Sequence, residues 1–294
     1  MIKIRVPATS ANLGPGFDCL GLALDLWNEI AFEEAKRLKY RATGEGAEKL
    51  NKGSKNLLTK SYVRLFEICG KKMPGVHVAA KNDIPMSSGL GSSAAAIMAG
   101  LYGANEMLGK PLNNMELLKL ATDMEGHPDN VAPALFGGLV VSAMNGDEII
   151  LRRFELPKWT VVIVKPDVEW LTKTARAVLP KSVSRADAIF NIGRASLVVE
   201  ALRTGDLELL QKVMDDRIHQ PYRLQHISGG TAAYKKACQF GAAALSGAGP
   251  SIITFVPPQK AEEAKKEIAR GFEELGIMAK SIITSPGILG THRI

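Results

Sequence analysis

Residues 85–95 read Pro85-Met86-Ser87-Ser88-Gly89-Leu90-Gly91-Ser92-Ser93-Ala94-Ala95. They follow the strand-like run Gly75–Ala80 and precede the small-residue-rich, helical stretch Ala94–Leu108, so a strand, a glycine turn and a helix N-terminus occur in succession. Glycines let the backbone aim its N–H groups at one point, and the partial positive charge of the helix start supports the same anion. The loop is not a Walker A motif, because no lysine occurs between Lys81 and Lys110. Phosphate charge here would be met by backbone dipoles, hydroxyls and a metal ion. The plainer reading is a tight strand-to-helix connection.

Periodicity elsewhere indicates an α+β chain. A helix is predicted over 57–69, with Leu57, Leu58, Tyr62, Leu65, Phe66 and Cys69 on one stripe. Asn113 or Asn114 caps a helix over 115–124 that ends at Glu125-Gly126. Gly137–Ala143 and Glu148–Phe154 read as strands joined by an Asn145-Gly146 turn. After a boundary near Pro157 come a strand at Thr160–Val164, a polar loop to Leu179-Pro180 and helical pattern over 185–214 and 231–239. A strand at Ser251–Val256, a helix over 260–275 and a strand at Ala279–Ile283 follow. Strands and helices mixed with antiparallel hairpins argue against a doubly wound sheet. With 294 residues the chain has room for two domains, 1–157 and 158–294.

Composition removes several function classes. The start, Met1–Pro7, alternates apolar and basic residues like a strand and lacks the apolar core of a signal peptide. Cys19, Cys69 and Cys238 have apolar sequence neighbours and no metal-ligand spacing, so they read as buried thiols in a reducing cytoplasm. The uncharged stretches Ile84–Asn105 and Ala237–Gln259 hold too much Gly, Ser and Pro for membrane spans. The net charge of +7 lies wholly in residues 151–294. A nucleic-acid role would use such an excess, but aromatics are 6% and no run of five basic residues occurs.

Two further segments join the glycine loop: Pro7-Ala8-Thr9-Ser10-Ala11-Asn12-Leu13-Gly14-Pro15-Gly16-Phe17-Asp18 near the start and Leu245-Ser246-Gly247-Ala248-Gly249-Pro250-Ser251 near the end. The three together resemble the GHMP small-molecule kinase superfamily. Its homoserine kinase branch is matched further by Glu125-Gly126-His127-Pro128-Asp129-Asn130, by Thr172-x3-Arg176-x2-Leu179-Pro180 and by Pro221-Tyr222-Arg223. The resemblance spans nearly the whole chain. It implies an N-terminal domain of the ribosomal-protein-S5-domain-2 type, a C-terminal ferredoxin-like domain and ATP held between them. It also implies phosphorylation of L-homoserine at its side-chain hydroxyl, in threonine biosynthesis, by a cytoplasmic enzyme that forms a homodimer.

By resemblance, Pro85, Met86, Ser87, Ser88, Gly89, Leu90, Gly91, Ser92 and Ser93 form the ATP loop, and Asn56 approaches adenine. Ser93 and Glu125 would hold Mg2+. Arg176 and Arg223 take the substrate carboxylate, a task suited to a planar fork of donors. Asn12, Asp18 and His127 contact the amino group and hydroxyl, and Thr172 the transferring phosphoryl group. Asn130 stands where several relatives place an aspartate, and an amide cannot accept the proton. The expectation is therefore transfer by positioning, with Asp18 or Asp129 as base the rival. Another carboxylate-bearing alcohol, such as threonine or mevalonate, remains the alternative substrate.

Overall fold

The computed structural model describes residues 1–52 and 56–294. The first strand, β1 (Ile2–Ala11), runs beyond the predicted end at residue 6. It passes through Pro7 because its register with β2 (Leu20–Glu34) shifts between Pro7 and Ala8. A bulge there accommodates a residue with no N–H to donate. Then come β3 (Lys39–Gly44), α1 (Ala47–Lys52), α2 (Leu57–Ile68), β4 (Val76–Asn82), α3 (Ser92–Met107), α4 (Asn114–Glu125), α5 (Pro128–Phe136), β5 (Leu139–Asn145) and β6 (Glu148–Phe154).

The long strand β2 organises the first sheet. β1 lies antiparallel along one edge, while β4 and β5 share the other, pairing with residues 28–34 and 20–22 respectively. β3 adds to β4 in parallel and β6 to β5 antiparallel. Helices α2 to α5 complete the core, in which Val6, Leu22, Phe32, Tyr62, Leu65, Met98, Leu118 and Val131 are buried together. Small residues let α3 sit close to its neighbours. A Cβ on Gly100 would fall 2.0 Å from Ser61 Oγ, and one on Gly103 2.3 Å from the Phe32 ring.

The second unit contains β7 (Thr160–Pro166), α6 (Thr172–Ala177), α7 (Arg185–Thr204), α8 (Leu207–Val213), α9 (Gln220–Leu224), α10 (Gly230–Phe240), β8 (Ala242–Leu245), β9 (Ile252–Val256), α11 (Ala261–Glu273) and β10 (Ala279–Thr284). Its four strands are antiparallel in the order β10-β7-β9-β8. With α10 and α11 as crossovers this is the ferredoxin-like βαββαβ pattern, into which α6 to α9 are inserted. Val162 and Val164 pack toward α10 and α11, while Val161 and Ile163 join the core that includes α7 and α8. Burial on both faces explains the unbroken apolar run in β7. The final strand, β11 (His292–Arg293), returns to pair with β1.

Several readings change in detail. Asn145 pairs with Glu148, so the hairpin loop is Gly146-Asp147, with Gly146 at φ 61°. The helical run 185–214 is two helices separated at Gly205, whose φ of 80° ends α7. The loop after β7 contains α6. Cys19 and Cys238 are exposed and Cys69 is half-buried, contrary to the expectation of buried thiols. Apolar sequence neighbours do not fix burial when the cysteine lies in a turn or on a helix's outer side, as Cys238 does beside the buried Ala237.

Candidate active site

A cavity of about 470 Å³ lies between the glycine loop of the first unit and α6, α9 and residues 247–249 of the second. Asn12, Asp18, Asn56, Met86, Ser87, Ser88, Gly89, Gly91, Ser92, Ser93, Glu125, His127, Asn130, Thr172, Arg176 and Arg223 all line it. Pro85 and Leu90 do not. The Pro85 carbonyl accepts the Ser88 hydroxyl at 2.7 Å, and buried Leu90 ties the loop to β1 by accepting Thr9 N–H at 3.1 Å.

The loop's shape follows from its glycines. Gly91 caps α3 with a φ of 67°, and a Cβ there would fall 1.9 Å from Thr9 Oγ1. No side chain among the described residues caps α3, which leaves its first N–H groups available to an anion. At the other end Asn56 caps α2 through Oδ1, which accepts Thr59 N–H at 2.8 Å. Its Nδ2 is buried without a hydrogen-bond partner among the described residues. A donor buried at a cavity that Ile30, Leu58 and Ala99 also line suits the acceptor edge of a flat heterocycle.

Ser93 Oγ donates to Glu125 Oε2 at 2.7 Å. Burial pushes the Glu125 carboxyl above its ordinary range, while the Ser93 bond lowers it. One desolvated carboxylate and one hydroxyl at a helix start fit a Mg2+ ion that takes its remaining ligands from phosphate and water. Among the described residues there is no group of three or more His, Cys, Asp or Glu side chains that would hold a metal unaided.

Across the cavity Arg176 forms a two-point ion pair with Asp18, at 3.0 and 3.1 Å. Asp18 adopts φ 57°, and its N–H donates to Asn12 Oδ1 at 3.0 Å. His127 Nδ1 lies 3.7 Å from Asp18 Oδ2; the ring begins α5 without capping it. Arg223 is 1% exposed. It donates to the carbonyls of Ala175 and Gly247 and to His219 Nδ1, and it has no carboxylate partner among the described residues. Burial and the nearby Arg176 lower it to about 10, so it stays charged at neutral pH. Asp129, 6% exposed, is pushed up to about 7 by burial and by the charges of Asp18 and Glu125.

Residues 56–138 match the profile of the GHMP kinases N terminal domain, and residues 198–274 that of the GHMP kinases C terminal domain. A homoserine kinase from Moorella thermoacetica is 46% identical over 258 residues, 87% of each chain. One from Carboxydothermus hydrogenoformans is 41% identical over 289 residues, 97% of this chain and 94% of that protein. The chain belongs to the homoserine kinase family of the GHMP kinases. The crystal structure of homoserine kinase from Cytophaga hutchinsonii shares 31% identity with a TM-score of 0.87, covering 100% of this chain and 97% of that one. A mevalonate kinase at 17% identity and TM-score 0.73 shares the fold.

Family membership accounts for the three glycine segments meeting at one place. Asn12 Nδ2 donates to the Gly247 carbonyl at 2.8 Å, and Ser246 Oγ donates to the Gly89 carbonyl at 2.7 Å. The sequence reading omits Trp170, whose indole N–H holds the Ala248 carbonyl at 2.8 Å, and Thr9, whose hydroxyl donates to Asn130 Oδ1 at 2.8 Å. It also passes over His219, although the spacing of four residues to Arg223 is the signal of a shared helical face.

Proposed function

We propose that this chain transfers the γ-phosphoryl group of ATP to the side-chain hydroxyl of L-homoserine, producing ADP and O-phospho-L-homoserine in threonine biosynthesis. The observation that carries the substrate half is Arg223. A buried guanidinium without a carboxylate partner is costly, and an entering carboxylate offsets that cost. Arg176 supplies the second donor fork, and Asp18, held beside it, receives the substrate ammonium. A neutral sugar would leave this arrangement uncompensated.

On the nucleotide side the N–H groups of the 87–93 turn and the start of α3 take the phosphates, and Asn56 Nδ2 takes the base. Ser93 and Glu125 would hold Mg2+, which would offset phosphate charge. Asn130, fixed by Thr9, and Thr172 position the reacting groups. The substrate oxygen bonds to the γ-phosphorus, the bond to the leaving ADP oxygen breaks, and the hydroxyl proton passes to a phosphoryl oxygen. A loose transition state permits this without a protein base. One observation favours the rival: Asp129, at about 7, is poised as a general base.

We divide the chain at residue 157, each part carrying one sheet, with the tail after residue 284 returned to the first. We place the enzyme in the cytoplasm as a homodimer with no nucleic-acid partner. Among the described residues no helix is long and apolar enough to cross a membrane. A coupled ADP-release assay over L-homoserine, L-threonine, mevalonate and galactose tests the assignment. The expected result is a clear kcat/KM preference for L-homoserine, and preference for any other compound overturns it.

A further inference from the structure

His219 is fully buried and does not itself line the cavity, yet it contacts Arg223, a buried cavity arginine that has no carboxylate partner among the described residues. Its Nε2 lies 2.8 Å from the Gly14 carbonyl and its Nδ1 lies 3.1 Å from Arg223 Nη1. A carbonyl only accepts and a guanidinium only donates, so the ring must be neutral with its proton on Nε2. Burial supports that state by lowering the imidazole to about 4, against the opposing charge of Asp216. Phe17 stacks on the ring at 5.2 Å between centroids, and its face also lies 5.3 Å from the Arg223 guanidinium carbon.

Asp216 fixes the backbone from which His219 projects. Its buried carboxylate accepts N–H groups from Ile218, His219 and Gln220 at 2.6 to 3.0 Å and from Asn191 Nδ2 at 2.6 Å. His219 thus rests on a rigid turn, bonded on one side to the first glycine segment and on the other to an arginine of α9.

We propose that His219 is a positioning residue: its Nδ1 lone pair orients Arg223 toward the cavity, and its Nε2–H locks that orientation to the Gly14 carbonyl. This rests on the reading that Arg223 receives the substrate carboxylate. Replacement of the acceptor by a donor would turn the guanidinium away without altering the nucleotide half of the site.

Asparagine places an oxygen close to the position of Nδ1, whereas glutamine reaches the position of Nε2 and lacks the acceptor beside Arg223. The test is steady-state kinetics of the full-length wild type, His219→Gln and His219→Asn, with L-homoserine and with 3-aminopropan-1-ol, the same chain without its carboxylate. We expect His219→Gln to raise the L-homoserine KM by roughly tenfold or more, to leave the ATP KM within about twofold, and to leave kcat/KM for 3-aminopropan-1-ol unchanged. His219→Asn should recover most of the L-homoserine KM. An L-homoserine KM for His219→Gln within about twofold of wild type overturns the proposal, as does equal damage to both alcohols. If His219→Gln does not fold, failure of His219→Asn to hold the wild-type KM overturns it. Wild-type turnover is measured first. Its absence with L-homoserine contradicts the substrate reading instead, and the variants are then compared on the carboxylate-bearing alcohol that is turned over.

Discussion

Asp129 holds its proton near neutrality because it is desolvated and lies among other carboxylates. The amide of neighbouring Asn130 donates to it at 3.4 Å, while Asn130 Oδ1 is occupied by Thr9. Direct transfer predicts that Asp129→Asn at saturating substrates keeps kcat within about tenfold of wild type. Loss of nearly all turnover with both KM values intact would establish the base instead. Stability gives an independent check. Between pH 3.8 and about 7 the folded protein keeps a proton on Asp129 that the unfolded chain has released. Its contribution to stability is therefore lost as pH rises through that window. The Tm of Asp129→Asn relative to wild type should be higher at pH 8 than at pH 5, and a pH-independent difference would contradict this ionisation.

The glycine loop and the segment after β8 pack against each other. A Cβ on Gly89 would fall 2.1 Å from the Ser246 carbonyl oxygen, and Gly89 has a φ of 74°. Gly89→Ala should cost about 1–3 kcal/mol of stability and, by displacing the loop, raise the ATP KM about tenfold. Thermal melts and ATP titrations check this, and a wild-type ATP KM would show that the loop does not depend on that contact. Elements with strong local signals are legible in the sequence. α2 has both its apolar stripe and its Asn56 cap, and α4 has a capping box between Asn113 and Glu116. β8 is not legible, because Ala242–Leu245 contains no β-branched or aromatic residue and becomes a strand by pairing with β9. Nor does the sequence show Asp18 meeting Arg176, since the pair is 158 positions apart. The glycine motifs identify which segments converge; the pairing inside the site arises from the fold.

At the scale of the whole molecule the charge of +7 lies in residues 151–294, away from the glycine loop. The glycine loop holds no lysine, and of the basic residues in the second half only Arg176 and Arg223 line the cavity, together with Asp18 and Asp129. The cavity lies between the two units, with the glycine loop on the first and the buried Arg223 on the second. The claim at the centre of this account is that a substrate carboxylate completes the site. Wild-type kcat/KM for L-homoserine divided by that for 3-aminopropan-1-ol measures it directly. The ratio should be at least about a thousandfold, as expected when a buried polar group is left unpaired. A ratio near one would contradict the account.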